Sequence, residues 1–371
     1  MTASIKSDQR PPDDDAAVLI IAGGRGTRFW PLSRGKFPKP LFSLDGKTSL
    51  LSETVARART LTDRERVFVL IASGQERAFR AALRGLVPAR NILVEPQARG
   101  TTVAIAYGAA LIKRRLGEAT IVVTPADHLI SPVAAFERTL RGAIALARAR
   151  GALVIVGIEP TRVEPGFGHI KIGRKAGTGF EVARFVEKPP PALAAKMVRS
   201  RQYLWNAGMF VIGTRTLGDE LRAHCPALAA AIDKIAAAPA KRAALYRRLD
   251  FDAFDREIVE KSRRVLAVRA RFRWHDVGSW EGLWEAMRGD AGVRDDNQNV
   301  LSGNAIALEA KGIFAHAHGR LPHGRLMVLM GVDDLVVVDS GDAILIARRS
   351  RSQELRLVID ELKRRGLERY L

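Results

Sequence analysis

The sequence predicts an α/β protein, with a mixed, mostly parallel sheet followed by a small all-β region. Three observations predict it. Short β-branched runs at residues 18–22, 67–72, 91–94, 120–124 and 153–157 have the length and composition of strands buried on both faces. Helical apolar spacing fills the gaps at 49–60, 75–83, 102–115 and 134–150, the alternation that covers a parallel sheet with helices. After Asp295-Asp296-Asn297 that spacing stops, and residues 299–347 become short strands punctuated by Gly303, Gly312, Gly319, Gly324, Gly331 and Gly341.

Taken in order, the chain opens on a polar stretch with Pro11, Pro12 and three aspartates, so residues 1–16 are expected to form a disordered tail. Residues 17–292 carry the alternating pattern and should form one large domain. Within it, 168–172 and 181–186 read as an antiparallel pair and 192–201 as a helix. Residues 297–371 form the second domain, which closes on a charged helix at 352–365. Its glycine spacing allows a short β-helix, although no strict repeat is present.

The 371 residues are 47% hydrophobic and 27% charged, an ordinary folded composition. Cys225 is the only cysteine, which excludes an intrachain disulfide. The apolar run at 16–22 is far short of a membrane span, and a cytoplasmic protein without membrane partners is expected. Lys and Arg total 60 against 40 acidic residues, for a net charge of +20, which raises nucleic acid as an alternative partner. The 46 arginines are scattered through the helices, however, with no basic arm and no aromatic-rich strand to stack bases. We therefore expect no nucleic acid partner, and the same field suits the steering of small anions.

The motif richest in chemistry follows the first strand. Ala22, Gly23, Gly24, Gly26 and Thr27 form a glycine turn whose backbone N–H groups can approach a phosphate or a base. A dinucleotide fingerprint would need glycine where Phe29 stands, and Gly46-Lys47-Thr48 lacks the leading P-loop glycine, which would fall at Leu41. Arg28 and Lys39 lie just beyond the turn on a proline-stiffened stretch, where a fork and a point charge can hold triphosphate oxygens. Asp127 follows the strand at 120–124; it suits a hard cation such as Mg2+ and also a helix cap. Glu187-Lys188 ends a strand against three prolines, as an anchored binding pair or an exposed ion pair.

G-G-x-G-T-R with P-L-S-R (residues 31–34) and P-K (38–39) resembles the signature of the sugar nucleotidyltransferases. The resemblance runs from about residue 18 to 338 through islands in the family's order: Glu95-Pro96, 125–128, 166–170, 185–189, 204–210, Glu260-Lys261 and 274–280. It implies a Rossmann-like, GT-A type nucleotide-diphospho-sugar transferase sheet. The islands resemble most the branch that joins GTP to mannose 1-phosphate, so those two molecules are the implied partners. The resemblance implies that Asp127 and Asp276 share one Mg2+ and that Lys188 holds the sugar phosphate. It also implies that Glu187 and Asn206 read sugar hydroxyls beside Gly168, and that Glu95 and Thr101 lie on the nucleotide side.

Several positions depart from the family pattern: Pro40 for a glutamine, Gly100-Thr101-Thr102 for N-T-A, Ala253-Phe254-Asp255-Arg256 for S-x-D-Y, and His169 for a tyrosine. These leave another base, or another sugar such as glucose or a heptose, open. Asp255 and Glu260, on a segment with helical spacing, read as structural. His316, His318 and His323 read as surface histidines, and His128 and His275 as supports for the two aspartates. The sequence ends at Leu371, from which we expect no isomerase domain of the kind longer relatives carry. The short strands of the second domain offer an edge for a homodimer.

Overall fold

The computed structural model describes residues 16–24, 27–34, 38–43, 48–238, 241–288, 294–317 and 325–371. Residues 1–15 of the expected tail lie outside this set, as do Gly26, His318 and His323.

The strands are β1 Ala16–Ala22, β2 Val67–Ala72, β3 Ile92–Glu95, β4 Thr120–Pro125, β5 Leu129–Ser131, β6 Leu153–Ile158, β7 His169–Ala176, β8 Gly179–Val186, β9 Tyr203–Gly213, β10 Val265–Arg269 and β11 Arg273–His275. Nine of them form one sheet in the order β3-β2-β1-β4-β9-β6-β10-β8-β7. The run β3-β2-β1-β4 is parallel, as is β10 on β6, while β9 lies antiparallel to both β4 and β6. The expected mixed sheet is therefore present, and 169–176 pairs antiparallel with 179–186 as anticipated.

The helices are α1 Leu50–Ala58, α2 Glu76–Ala82, α3 Thr101–Leu116, α4 Val133–Arg150, α5 Pro191–Arg199, α6 Thr214–His224, α7 Pro226–Ala237, α8 Arg242–Tyr246 and α9 Trp280–Arg288. Alternate residues of β1 point to opposite faces of the sheet, and each face has its own core. Val18 and Ile20 pack with Leu51 and Val55 of α1, Phe79 of α2 and Leu140 of α4. Leu19 packs with Tyr107 of α3, Leu217 of α6 and Leu228 of α7. The helices of 214–246 and the strands β9, β10 and β11 have no counterpart among the sequence expectations. β9 carries Asn206 and Gly208 and so looks like a turn, yet burial in the middle of the sheet overrides that propensity.

Beyond residue 294 the short strands are β12 Val300–Ser302, β13 Ala305–Leu308, β14 Phe314–His316, β15 Met327–Met330, β16 Leu335–Asp339 and β17 Ile344–Arg348. β12-β14-β16 pair in parallel, as do β13 and β15, and β16-β17 is an antiparallel hairpin. Parallel pairing of strands from successive turns is the coil of a short β-helix. The closing helix begins as a 3-10 turn, Arg349–Leu355, and continues as α10, Arg356–Arg364.

A third core joins the two parts. Phe29, Trp30 and Phe42 leave the sheet and pack with Trp280 and Leu283 of α9, Phe314, Val336 and Leu345. The segment between β1 and α1 is thus held by the β coil as well as by the sheet.

Candidate active site

The site lies at the carboxyl ends of β1 and β4, where open α/β sheets place their ligands. A cavity of about 300 Å³ opens there, lined by Ala22, Gly24, Lys39, Thr101, Asp127 and Asp255, among others. Gly23 leads into the turn, and a Cβ on it would lie 3.4 Å from Glu95 Oε2. Glu95 is buried behind the turn, where Tyr246 Oη donates to its Oε1 at 2.8 Å. Burial raises the Glu95 pKa, and the Tyr246 hydrogen bond partly offsets it. Thr101 starts α3, and its Oγ1 accepts the Phe254 N–H at 2.9 Å. The backbone of Thr27 opens a 3-10 turn, Thr27–Phe29, which carries the exposed Arg28.

Asp127 and Asp276 meet through a small ladder. β11 pairs antiparallel with β5, Arg273 opposite Ser131 and His275 opposite Leu129, so that continuing the register sets Asp276 opposite His128. Lys39 sits between them. Its buried Nζ donates to Asp127 Oδ2 at 2.6 Å and to the main-chain oxygen of Asp276 at 3.1 Å, and lies 5.1 Å from the Phe29 ring centre. Burial pushes the Asp127 pKa up, but the charge and hydrogen bond of Lys39 hold it below its ordinary value. His128 is buried and accepts a hydrogen bond at Nδ1 from Trp274 Nε1 at 3.0 Å. Burial lowers its pKa to about 4 against the pull of both aspartates, so the ring is neutral.

The carboxylate of Asp276 and the guanidinium of Arg28 both lie beside Gly278. A Cβ on Gly278 would lie 2.9 Å from Asp276 Oδ2 and 3.5 Å from Arg28 Nη1, so glycine lets the pair converge. Val277, between them, is 1% exposed and holds φ of 48°, a costly conformation for a β-branched residue. Its burial in the third core sustains that strain.

A second cluster flanks the cavity. Asn206 on β9 donates from Nδ2 to Asp255 Oδ1 at 2.6 Å and accepts the Gly208 N–H at 3.1 Å, so both ends of its amide are engaged and one N–H is left over. A Cβ on Gly168 would lie 2.7 Å from Glu187 Oε2 and 3.2 Å from Asn206 Cβ. This glycine therefore lets two side chains close on each other. Lys188, in the left-handed region at φ of 48°, pairs with Glu187 at 3.1 Å; its side chain is 56% exposed against 7% for Glu187. Glu260 Oε1 accepts the Glu187 N–H at 2.7 Å.

In the sequence, Asp255 reads only as structural and Gly278 only as part of the 274–280 island. Asp255 opens a single π-helical turn, Asp255–Val259, and lines the cavity rather than serving structure alone. Its altered motif, A-F-D-R, was the available signal. Burial and the charge of Glu187 raise its pKa to about 7. His275 and Asp276 line a neighbouring cavity of about 270 Å³ with Phe167, Trp205 and Trp274. His316 is not simply a surface histidine, since its Nδ1 pairs with Ser302 Oγ at 3.1 Å and its ring lies 5.8 Å from that of Phe42. Among the described residues no group of three or more His, Cys, Asp or Glu side chains could hold a metal ion. No helix among them is long and apolar enough to cross a membrane.

A glycine turn followed by a lysine that bonds the Asp127 carboxylate and the Asp276 backbone, at the rim of such a sheet, suits a nucleotidyltransferase. The chain belongs to that family: the Nucleotidyl transferase model matches residues 17–292, and a MannoseP isomerase/GMP-like beta-helix domain matches 303–362. It is 37% identical over 365 residues to the xanthan biosynthesis protein XanB of Xanthomonas campestris, covering 95% of this chain and 74% of that one. Identity to the mannose-1-phosphate guanylyltransferase RfbM of Salmonella typhimurium is 34%, with coverage of 95% and 73%. Among solved structures, one described as mannose-1-phosphate geranyltransferase from Thermus thermophilus superimposes with a TM-score of 0.83 at 31% identity, over 94% of this chain and 99% of that one. The protein is therefore a nucleotidyltransferase, and several of its relatives bear mannose-1-phosphate guanylyltransferase names.

Two outcomes follow from this geometry. Gly278→Ala drives a methyl group between Asp276 and Arg28, and turnover falls about ten-fold or more while thermal stability stays near wild type; unchanged turnover would show that the two side chains need not converge. An acid whose folded pKa is raised contributes stability that is lost as pH rises, here up to about 7. Wild-type urea midpoints should therefore carry a downward component between about pH 4 and 7 that Asp255→Asn lacks, and equal slopes in the two proteins would remove Asp255 from that role.

Proposed function

We propose that the protein transfers GMP from GTP to mannose 1-phosphate, forming GDP-mannose and pyrophosphate. The observation that carries this reading is the cavity that Ala22, Gly24, Lys39, Asp127, Gly208 and Asp255 line together. Arg28 and Lys39 grip the triphosphate, with Glu95 and Thr101 on the nucleotide side together with Ala22, Gly23, Gly24, Gly26 and Thr27. Lys188 positions the sugar phosphate, while Glu187 and Asn206 read its hydroxyls, with the spare Asn206 N–H directed by Asp255.

Both reactants are anions, so the barrier is dominated by bringing like charges together and by charge growing on the leaving pyrophosphate. No general base is needed, because the attacking phosphate is already ionised. The donor chemistry suits Mg2+: the Asp127 carboxylate and the Asp276 main-chain oxygen already hold the Lys39 ammonium, and the carboxylate of Asp276 belongs to the same residue. Bound by these carboxylates, the ion would supply charge neutralisation on the reacting phosphates.

Pyrophosphate release measured across four nucleotides and several hexose 1-phosphates tests the reading. GTP with mannose 1-phosphate should be the preferred pair, and Asp276→Asn should lower its turnover about 10²-fold with the fold intact. A different preferred pair would keep the chemistry and replace the substrates, whereas full activity of the variant would remove Asp276 from the site.

The β coil also supports a homodimer. Ile306, Val328 and Met330 on β13 and β15, and Ile344 and Ile346 on β17, are between 45% and 68% exposed, which is unusual for large aliphatic side chains. We expect light scattering to show a dimer and Met330→Asp with Ile346→Asp to give a monomer; a monomeric wild type would dismiss this pairing.

A further inference from the structure

Arg34, in the P-L-S-R stretch, does not face the cavity. Its guanidinium spans the molecule to the turn between β16 and β17. Nη1 donates to Asp342 Oδ2 at 2.6 Å, and Nη2 donates to Asp342 Oδ1 at 2.7 Å and to Ser340 Oγ at 2.8 Å. Nε turns back to the Pro31 main-chain oxygen at 2.7 Å, which folds the loop onto its own side chain. This is a two-pronged guanidinium–carboxylate fork, the geometry that lysine cannot reproduce. The acceptor turn is itself braced, since Ser340 N–H bonds the Ala343 oxygen at 2.9 Å and Gly341 N–H bonds Asp339 Oδ1 at 2.7 Å.

Two further contacts tie the same segment to the same side. Trp30 Nε1 donates to the Tyr370 main-chain oxygen at 2.9 Å, and Trp280 Nε1 donates to the Trp30 oxygen at 3.2 Å. Phe29 and Phe42 pack edge-on against Trp280, with ring centres 4.8 and 6.0 Å away. Trp280 in turn lies 5.2 Å from Phe314 of β14. Arg28 and Lys39 thus ride on a short segment whose apolar residues are buried in the third core, against the β coil.

We propose that the β16–β17 turn is a working part of the nucleotide site, with Arg34 and Asp342 as positioning residues that hold the segment bearing Arg28 and Lys39 in its triphosphate-gripping shape. The inference rests on the functional reading above for the identity of the nucleotide, and goes beyond it in giving the β coil a role in substrate affinity. The Arg34 side chain is 16% exposed and that of Asp342 55%, so the fork adds little to global stability. Its effect is local and falls on nucleotide binding.

The test uses the full chain with Asp342→Ala, Arg34→Lys and the exchanged pair Arg34→Asp with Asp342→Arg. Hydrogen–deuterium exchange of peptides covering 27–43 should quicken about ten-fold in the first two, with sheet peptides and melting temperature unchanged. KM for GTP should rise about five- to ten-fold while KM for mannose 1-phosphate stays within two-fold, and the exchanged pair should restore both readouts in part. Unchanged exchange in 27–43 overturns the inference whatever the enzyme's substrates prove to be. Equal rises in both KM values, or a general loss of stability, also overturn it, since a merely structural contact would behave so. If wild type binds no GTP by calorimetry while the variants loosen 27–43, the nucleotide assignment fails and the clamp stands.

Discussion

The site depends on one ammonium group. Asp127 lies at the edge of a sheet whose interior is apolar, and a carboxylate so placed resists ionisation unless a positive charge lies beside it. Lys39 supplies it, with its nitrogen bound to the Asp127 carboxylate and to the Asp276 backbone. The lysine is 8% exposed and Asp127 30%, so the pair is partly withdrawn from solvent and screening is weaker than at the surface. Breaking such a pair leaves a buried charge without its counter-ion, which costs more than the pair contributes. A ligand that draws Lys39 away must therefore offer Asp127 another cation in exchange.

That exchange also explains a difference between sequence and structure. Read along the chain, Lys39 belongs with Arg28 as a phosphate-gripping cation, because both follow the glycine turn. The tertiary fold instead delivers Asp276 from 237 positions further on, through the register of β5 with β11. The alternation of apolar runs with helical spacing was legible, and so were the carboxyl-edge placement of Asp127 and the antiparallel pair before Glu187. These rest on local periodicity. The β9 strand, the single π-helical turn that presents Asp255, and the strained backbone at Lys188 and Val277 were not legible. Each arises from packing that overrides local propensity: φ of 48° at a valine or a lysine leaves no mark in the residue types and persists only because neighbours hold it.

Glycines show the same limit from the other side. Gly168 and Gly278 are recognisable as parts of islands, but a backbone approaching substrate is only one use for a missing side chain. Here both spaces are taken by other residues of the protein: Glu187 and Asn206 close over Gly168, and Asp276 and Arg28 over Gly278. Their role is convergence of charged and polar groups, a role that only spatial neighbours reveal.

Two different cores hold the two ends of the cavity. The Asp255 turn and β9 pack with α3, α6 and α7 through Phe254, Ile258 and Phe210, all in the second cluster. Phe29 and Val277, which flank Arg28 and Asp276, belong to the third cluster with the β coil. Asp127 follows Ala126, which belongs to the first cluster on the opposite face of the sheet. The Lys39 contact thus ties together residues anchored in different clusters.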